Sequence, residues 1–108
     1  MKVINLHKTI NLTELLVLLQ QKLNPLFHGQ KQSGINFTIE KRGNAIEISQ
    51  PELYEGVLFR LEPDGVHLNI TRSEHYVDDV NSITVESILN ILFEEISGEQ
   101  GVSLTLEG

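Results

Sequence analysis

The sequence contains no cysteine among its 108 residues. This absence excludes disulfide bonds, thiolate nucleophiles and zinc sites built from cysteine. A long apolar run is also missing, since the leucine-rich stretch 15–19 is far too short to span a bilayer. The first residues show no signal-peptide pattern. We therefore expect a cytoplasmic protein that does not associate with a membrane.

The motifs of common enzyme classes are absent as well. There is no phosphate-binding loop, dinucleotide-binding glycine pattern, metalloprotease helix or nucleophile elbow. The nearest approach to a metal site is the cluster of Glu74, His75, Asp78 and Asp79, but no second histidine stands at a spacing that would complete it. We therefore expect a protein without catalytic residues, cofactor or metal.

Positive charge is scarce in the second part of the chain. The formal net charge is −7. Residues 1–43 carry six bases and two acids, a net charge of +4, whereas residues 44–108 carry two bases and thirteen acids, a net charge of −11. Such a field repels nucleic acid and steers a basic partner toward the second part. The plainer alternative is that these acids only keep the protein soluble.

What the sequence does contain is a run of alternating apolar and polar residues from Ile35 to Arg72, typical of four strands in two hairpins. One face of this sheet is predicted to be apolar and covered by the rest of the chain. The other face is predicted to be polar and solvated, with Leu58 as its apolar exception. The predicted apolar face consists of Ile35, Phe37, Ile39, Ile46, Ile48, Val57, Phe59, Leu61, Val66, Leu68 and Ile70.

Each hairpin has its own predicted turn. The glycine and asparagine at 43–44 suit a two-residue type II′ loop, which would place Ile39 opposite Ile48. The second turn is predicted at the Pro-Asp-Gly sequence 63–65. Its loop must contain two or four residues, because an odd number would move one strand's apolar residues to the polar face.

The flanking segments supply further strands and the first covering helix. Residues 2–7 are predicted to form a short edge strand. A helix capped by Asn11 follows, with leucines at helical spacing. We expect it to end at Asn24, because Pro25 disfavours helical geometry in the preceding residue. Residues 25–34 would then form a loop.

A second helix is predicted over residues 85–96, with Ser82 or Thr84 as its cap and a broad apolar stripe on one side. Residues 102–107 alternate as a last strand. The whole chain, 1–108, is thus predicted to be a single α+β domain. Its mainly antiparallel sheet packs one face against two helices, and its elements follow the order β-α-β-β-β-β-α-β.

The two acidic connections that follow the hairpins, 50–56 and 73–82, each contain one of the two tyrosines of the chain. Aromatic rings offer contact area at low entropic cost, and carboxylates select basic partners. Alternatively, the tyrosines cap the edge of the core and point their hydroxyls to water. The predicted partner-binding residues are Glu52, Tyr54, Glu55, Glu74, Tyr76, Asp78 and Asp79.

This pattern favours a non-enzymatic acidic binding protein that occupies a basic surface of a partner protein. A bacterial toxin-immunity protein that neutralises a nuclease toxin, or a phage-encoded inhibitor, fits the description. The oligomeric state is left open. One alternative is a small-molecule-binding or enzymatic domain with a pocket between sheet and helices. Another is an oligomeric scaffold or chaperone-like subunit that assembles through edge strands or helix faces, with the apolar stripe of the second helix as part of the interface.

Overall fold

The computed structural model describes residues 2–5, 9, 11–31, 34–97 and 103–106, and side chains are described at 3–5, 9, 11–31 and 34–94. The predicted α+β class and element order are confirmed. The helices are α1 (Leu12–Lys31) and α2 (Val80–Ser97), and a short 3-10 helix spans Glu74–Tyr76. The strands are β1 (Lys2–Asn5), β2 (Thr38–Arg42), β3 (Ala45–Ser49), β4 (Val57–Asp64), β5 (His67–Arg72) and β6 (Ser103–Leu106).

These strands form one sheet in the order β2-β3-β4-β5-β1-β6, and neighbouring strands run antiparallel. The prediction that the first strand lies at an edge was wrong, because β1 pairs with β5 on one side and β6 on the other. Ile4 lies opposite Leu68, and both side chains are fully buried. Leu6 and His7, also predicted in this strand, lie outside the described residues.

The first hairpin has the predicted register. Ile39 lies opposite Ile48, and Arg42 lies opposite Ala45 across the two-residue loop. Gly43 has a φ of 61° in that loop. This left-handed conformation is open to glycine without the steric cost that a Cβ atom brings, which explains why the turn forms there.

The second hairpin has a two-residue loop, one of the two predicted lengths, but the loop is formed by residues 65–66 instead of lying at 63–65. Pro63 and Asp64 remain in β4, and Asp64 pairs with His67. The loop is therefore formed by Gly65, whose φ is 61°, and Val66. Glycine at the first loop position decides where the chain can turn. Val66 is consequently 39% exposed instead of contributing to the core.

Most residues of the predicted apolar face are buried, but Leu58 was assigned to the wrong face. The register of β3 and β4 shifts so that Ile48 lies opposite Phe59 and Ser49 lies opposite Val57. Leu58 is the extra residue of this β-bulge. A bulge reorients its extra residue relative to regular alternation. Leu58 therefore joins Phe59 in the core with no exposed surface, whereas Val57 is only half-buried.

Helix α1 does not end at Asn24 as predicted but continues through Pro25 to Lys31. A proline inside a helix removes one hydrogen bond and strains the preceding turn. Here the continuation places Phe27 in the core, where it contacts Phe37 edge to face at a centroid distance of 4.8 Å. Burial of this ring compensates for the proline, so the expected loop 25–34 is mostly helical.

A ladder of three polar side chains on α1 explains the path of the chain after the helix. The Gln20 amide donates to the Ile39 carbonyl at 3.1 Å. Asn24 donates to the Phe37 carbonyl at 3.1 Å and accepts from the Phe37 N–H at 2.7 Å. At the end of the ladder, His28 Nε2 donates to a carbonyl 2.7 Å away, that of Ile35.

The ladder can form because the spacing of its side chains along α1 nearly matches the spacing of the backbone groups along segment 35–39. Four helical residues rise about 6 Å, and two extended residues rise about 6.7 Å. Successive ladder members on α1 therefore meet every second residue of segment 35–39. The backbone groups they bind are those that alternate away from β3, at the outer edge of the sheet. Polar side chains thus cover an edge that would otherwise invite pairing with another chain.

Helix α2 begins earlier than predicted, at Val80, and its cap is Asp79. The Ser82 N–H donates to Asp79 Oδ2 at 2.9 Å, as expected of a residue three positions after a cap. Ser82 itself is buried, and the Thr84 hydroxyl donates to the Val80 carbonyl within the helix. Neither residue predicted as the cap serves as one.

Both helices pack on the apolar face of the sheet. The predicted stripe of α2 is buried, except that Ile91 is 43% exposed and the side chain of Ile96 lies outside the described residues. In the described residues, Gln50 and Ser82 are the buried polar side chains. The helix residues in the core are Leu15, Leu19, Leu23, Phe27, Val85, Ile88, Leu89, Leu92 and Phe93.

Candidate protein-binding surface

The two acidic connections predicted to bind a partner lie together in the structure. Tyr54 of the first connection contacts Tyr76 of the second, with ring centroids 4.8 Å apart and planes inclined by 69°. Edge-to-face packing of this kind is favourable beyond the apolar area it buries. The contact joins residues more than twenty positions apart in the sequence and so brings the two acidic connections together.

Tyr54 is the more buried of the two rings, with 9% of its surface exposed. Its hydroxyl donates to Asp79 Oδ2 at 2.8 Å and accepts from the Asn81 amide at 3.0 Å. Burial raises the pKa of the Tyr54 phenol, and the Asp79 carboxylate raises it further, while the bond from Asn81 lowers it. Burial and these two hydrogen bonds therefore hold the Tyr54 ring in place.

Tyr76 is half-buried and packs against the same core. Its hydroxyl accepts a hydrogen bond of 2.9 Å from the Glu55 N–H. Both tyrosines thus lie at the edge of the core, as one of the two sequence-based interpretations expected. Their hydroxyls, however, bind protein groups instead of pointing to water.

Asp79 also has an internal role. One oxygen of its carboxylate caps α2 through Ser82 and accepts the Tyr54 hydrogen bond. Asp79 also belongs to the cluster with Glu74, His75 and Asp78 that comes nearest to a metal site in the sequence. The described residues contain no group of three or more acids or histidines arranged to hold a metal ion. The ring of His75 instead lies 6.2 Å from that of Tyr76.

The remaining four predicted residues are exposed carboxylates: Glu52, Glu55, Glu74 and Asp78. Within the described part of the chain, none of them has a salt bridge. They flank the tyrosine pair in sequence, two on each connection. We call this set the acidic surface. Its carboxylates are exposed, and no base among the described side chains forms a salt bridge with them.

The glutamates on the polar face of the sheet differ from this acidic surface. Glu47 lies between two arginines, with Arg60 at 2.9 Å and Arg42 at 3.9 Å. Arg60 also binds Glu62 at 3.2 Å, and Arg42 binds Glu40 at 2.8 Å. Each of these three carboxylates is thus bound by an arginine. The arrangement is a surface ion-pair network and not an acid–base pair.

A groove beside the acidic surface was not predicted from the sequence. It has a volume of about 530 Å³ and is lined by Gly34, Ile35, Asn36, Thr38, Gln50, Pro51, Glu52 and Leu53. The signal that could have located it is Pro51, two residues after the end of β3, because proline cannot donate to the strand ladder. The groove lies at the edge of the sheet and not between sheet and helices.

Comparison with known proteins adds no functional assignment. No protein-family model, curated protein or solved structure matches this chain. In the described residues, no helix has the length and apolar character that crossing a membrane requires. A function can therefore be inferred only from the sequence and the geometry of the protein.

Proposed function

We propose that this chain is a non-enzymatic binding protein whose acidic surface occupies a basic surface of a partner protein. The function that fits best is inhibition, as by a bacterial toxin-immunity protein that neutralises a nuclease toxin or by a phage-encoded inhibitor. In such a pair, carboxylates take the places that phosphates of nucleic acid would fill. A cytoplasmic location belongs to the same proposal.

The observation that carries the proposal is the contrast between two sets of acids. Glutamates on the polar face of the sheet are paired with Arg42 and Arg60. Those of the acidic surface have no salt bridge among the described residues and are exposed. Unpaired charge of one sign attracts a partner of the opposite sign and raises the rate of association.

A binding surface also needs to be ordered, and the internal contacts of Tyr54, Tyr76 and Asp79 provide this order. Together they tie both acidic connections to each other and to the start of α2. A surface that is ordered before binding loses less conformational entropy when the complex forms. In this proposal the exposed carboxylates contact the partner, the exposed part of Tyr76 lies between them, and Tyr54 and Asp79 hold them in place.

The proposal is tested by reversing two charges that have no internal role. Glu74→Lys with Asp78→Lys changes the net charge from −7 to −3. Immobilised wild-type protein should retain a basic protein from an extract of its native host, and the double variant should not. With the purified pair, association should be slower for the variant and depend less on salt.

A control variant with Glu14→Lys and Asp64→Lys has the same net charge but changes exposed acids outside the acidic surface. It should retain the partner nearly as well as the wild type. Equal losses in both variants would show that only total charge matters, and equal retention by all three proteins would contradict the proposal.

The oligomeric scaffold is a second candidate, because one observation favours it. Val80, Ile83 and Ile91 of α2 are 60%, 53% and 43% exposed, and their spacing puts them along one side of the helix. Such a stripe would be covered in a self-assembled form. Sedimentation velocity over a range of concentrations tests this, and an Ile83→Gln variant should abolish any assembly detected. A monomer at all concentrations would eliminate the scaffold.

A further inference from the structure

The groove exists because the pairing of β2 and β3 stops at Thr38 and Ser49. Beyond this pair, Pro51 has no N–H to continue the ladder. The side chain of Gln50 supplies hydrogen bonds in place of the missing N–H. Its amide nitrogen donates to the Asn36 carbonyl at 2.9 Å, and its amide oxygen accepts from the Glu52 N–H at 2.8 Å. The two chain segments then diverge, and the space between them is open to solvent.

The walls of this groove combine two kinds of surface. Apolar surface comes from Ile35, Pro51 and Leu53, of which Leu53 is 54% exposed. Asn36, Thr38 and Glu52 supply hydrogen-bond acceptors, and Glu52 is the one charged residue among the described residues of the lining. The chemistry therefore suits a ligand with an apolar stem and a cationic end that donates several hydrogen bonds.

We propose that the groove receives an arginine side chain of the basic partner, together with the partner residues beside it. This inference rests on the proposed function and specifies how part of the acidic surface would recognise its target. The three methylenes of arginine would pack on Leu53 and Pro51. Its guanidinium, a planar group with five N–H donors, would pair with Glu52 and donate to a neighbouring acceptor in the groove.

Arginine fits this site better than lysine because three lining residues, Asn36, Thr38 and Glu52, supply acceptors. A guanidinium reaches two acceptors at once in a fixed geometry, whereas an ammonium group is a compact point charge. The volume of about 530 Å³ lies within the range of about 300–1,000 Å³ typical of small-ligand sites. A short peptide segment carrying the arginine would fill it.

Both walls are held in place before any ligand arrives. The ladder on α1 fixes one wall through the bonds of Asn24 to Phe37 and of His28 to Ile35. On the other side, the backbone N–H of Tyr54 donates to the Gln50 carbonyl at 2.8 Å. Preformed walls reduce the ordering cost of binding.

Nuclear magnetic resonance titrations with a hexa-arginine peptide test the inference, with hexa-lysine as the comparison. Hexa-arginine should shift the side-chain amide signals of Asn36 and the methyl signals of Leu53, and hexa-lysine should shift them less. A Leu53→Ser variant should bind hexa-arginine roughly fivefold more weakly, because the arginine stem loses its apolar contact. The matched control is Val66→Ser, at an exposed valine of the β4–β5 loop, and it should bind like the wild type.

Failure of this inference and failure of the proposed function give different results. If the Asn36 and Leu53 signals stay fixed, or Leu53→Ser binds like the wild type, the arginine groove is wrong. The proposed function survives that result if the amide signals of Glu74 and Asp78 still move. If instead the groove signals move while the Glu74→Lys and Asp78→Lys variant binds equally well, the groove is supported and the acidic surface is not.

Discussion

The hydroxyl of Tyr54 donates a 2.8 Å hydrogen bond to Asp79, the residue that caps α2. One carboxylate therefore connects the segment between the hairpins with the start of a helix 25 positions later in the chain. The neighbouring Asp78 is exposed and has no such contact among the described residues. Two adjacent aspartates in the sequence thus differ in their surroundings, since Asp79 stabilises the fold and Asp78 faces solvent.

This difference predicts unequal costs for the same substitution. Asp79→Ala removes the helix cap and one partner of Tyr54, so we expect a loss of about 2 kcal/mol in the free energy of unfolding. Asp78→Ala changes the net charge equally and should alter stability by no more than about 0.5 kcal/mol. Urea denaturation of the two variants measures both values. Similar costs would show that Asp79 does not cap α2 in solution.

The raised pKa of Tyr54 predicts a specific pH dependence. The folded state holds the phenol proton above the ordinary pKa of about 10, so the unfolded chain loses this proton first as the pH rises. The stabilisation from this group is therefore complete below pH ~10 and disappears as the pH passes through the folded pKa.

Tyr54→Phe should accordingly be less stable than the wild type by about 1–2 kcal/mol near neutral pH. The gap should narrow above pH ~10, because phenylalanine has no proton to lose. Denaturation curves for both proteins between neutral pH and pH ~11 provide the test, and Tyr76→Phe serves as the control on the same surface. A gap that stays constant over the whole range would contradict the assignment.

The central hairpins were predictable because their determinants are local. A strand shows its two faces by alternation, and Gly43 and Gly65 occupy the positions where the chain must adopt left-handed geometry. The register of the first hairpin follows from its turn alone. The second loop was misplaced because Pro63 resembles a turn residue, yet a proline is also tolerated within a strand where no ladder bond is required.

The errors arose where distant contacts outweigh local preference. Pro25 disfavours helix, but Phe27 and His28 find partners in the core and on the sheet edge only if α1 continues. Leu58 breaks the alternation of β4, and three successive apolar residues there were the available signal of a bulge. Among the candidate site residues, composition identified the acids of the surface but could not distinguish Asp79 from Asp78, because capping depends on where α2 begins.

The bulge predicts a large penalty for shortening Leu58. If this side chain pointed to the polar face, as regular alternation would require, its truncation would have little effect. Because it is fully buried, Leu58→Ala should cost about 2–5 kcal/mol. Val57→Ala, at the half-buried neighbour, should cost clearly less. Thermal and urea unfolding of the two variants measure these losses in the free energy of unfolding. A small loss for Leu58→Ala would rule out the bulged register.

The ladder between α1 and segment 35–39 makes a prediction about Asn24, which both donates to and accepts from Phe37. Asn24→Asp keeps the acceptor but replaces the donor with a carboxylate oxygen facing the Phe37 carbonyl, so we expect a loss of about 1–3 kcal/mol at neutral pH. Protonation restores a donor, and the folded state therefore raises the pKa of the new carboxyl above about 3.9. The stabilisation from that proton is present at low pH and lost as the pH rises through the folded pKa, so the variant should approach the wild type as the pH falls toward 4.

Gln21→Glu introduces the same charge on the exposed side of α1 and should change stability little at either pH. A penalty at Asn24→Asp that does not depend on pH, measured by urea denaturation, would mean that this side chain does not bind the edge of the sheet.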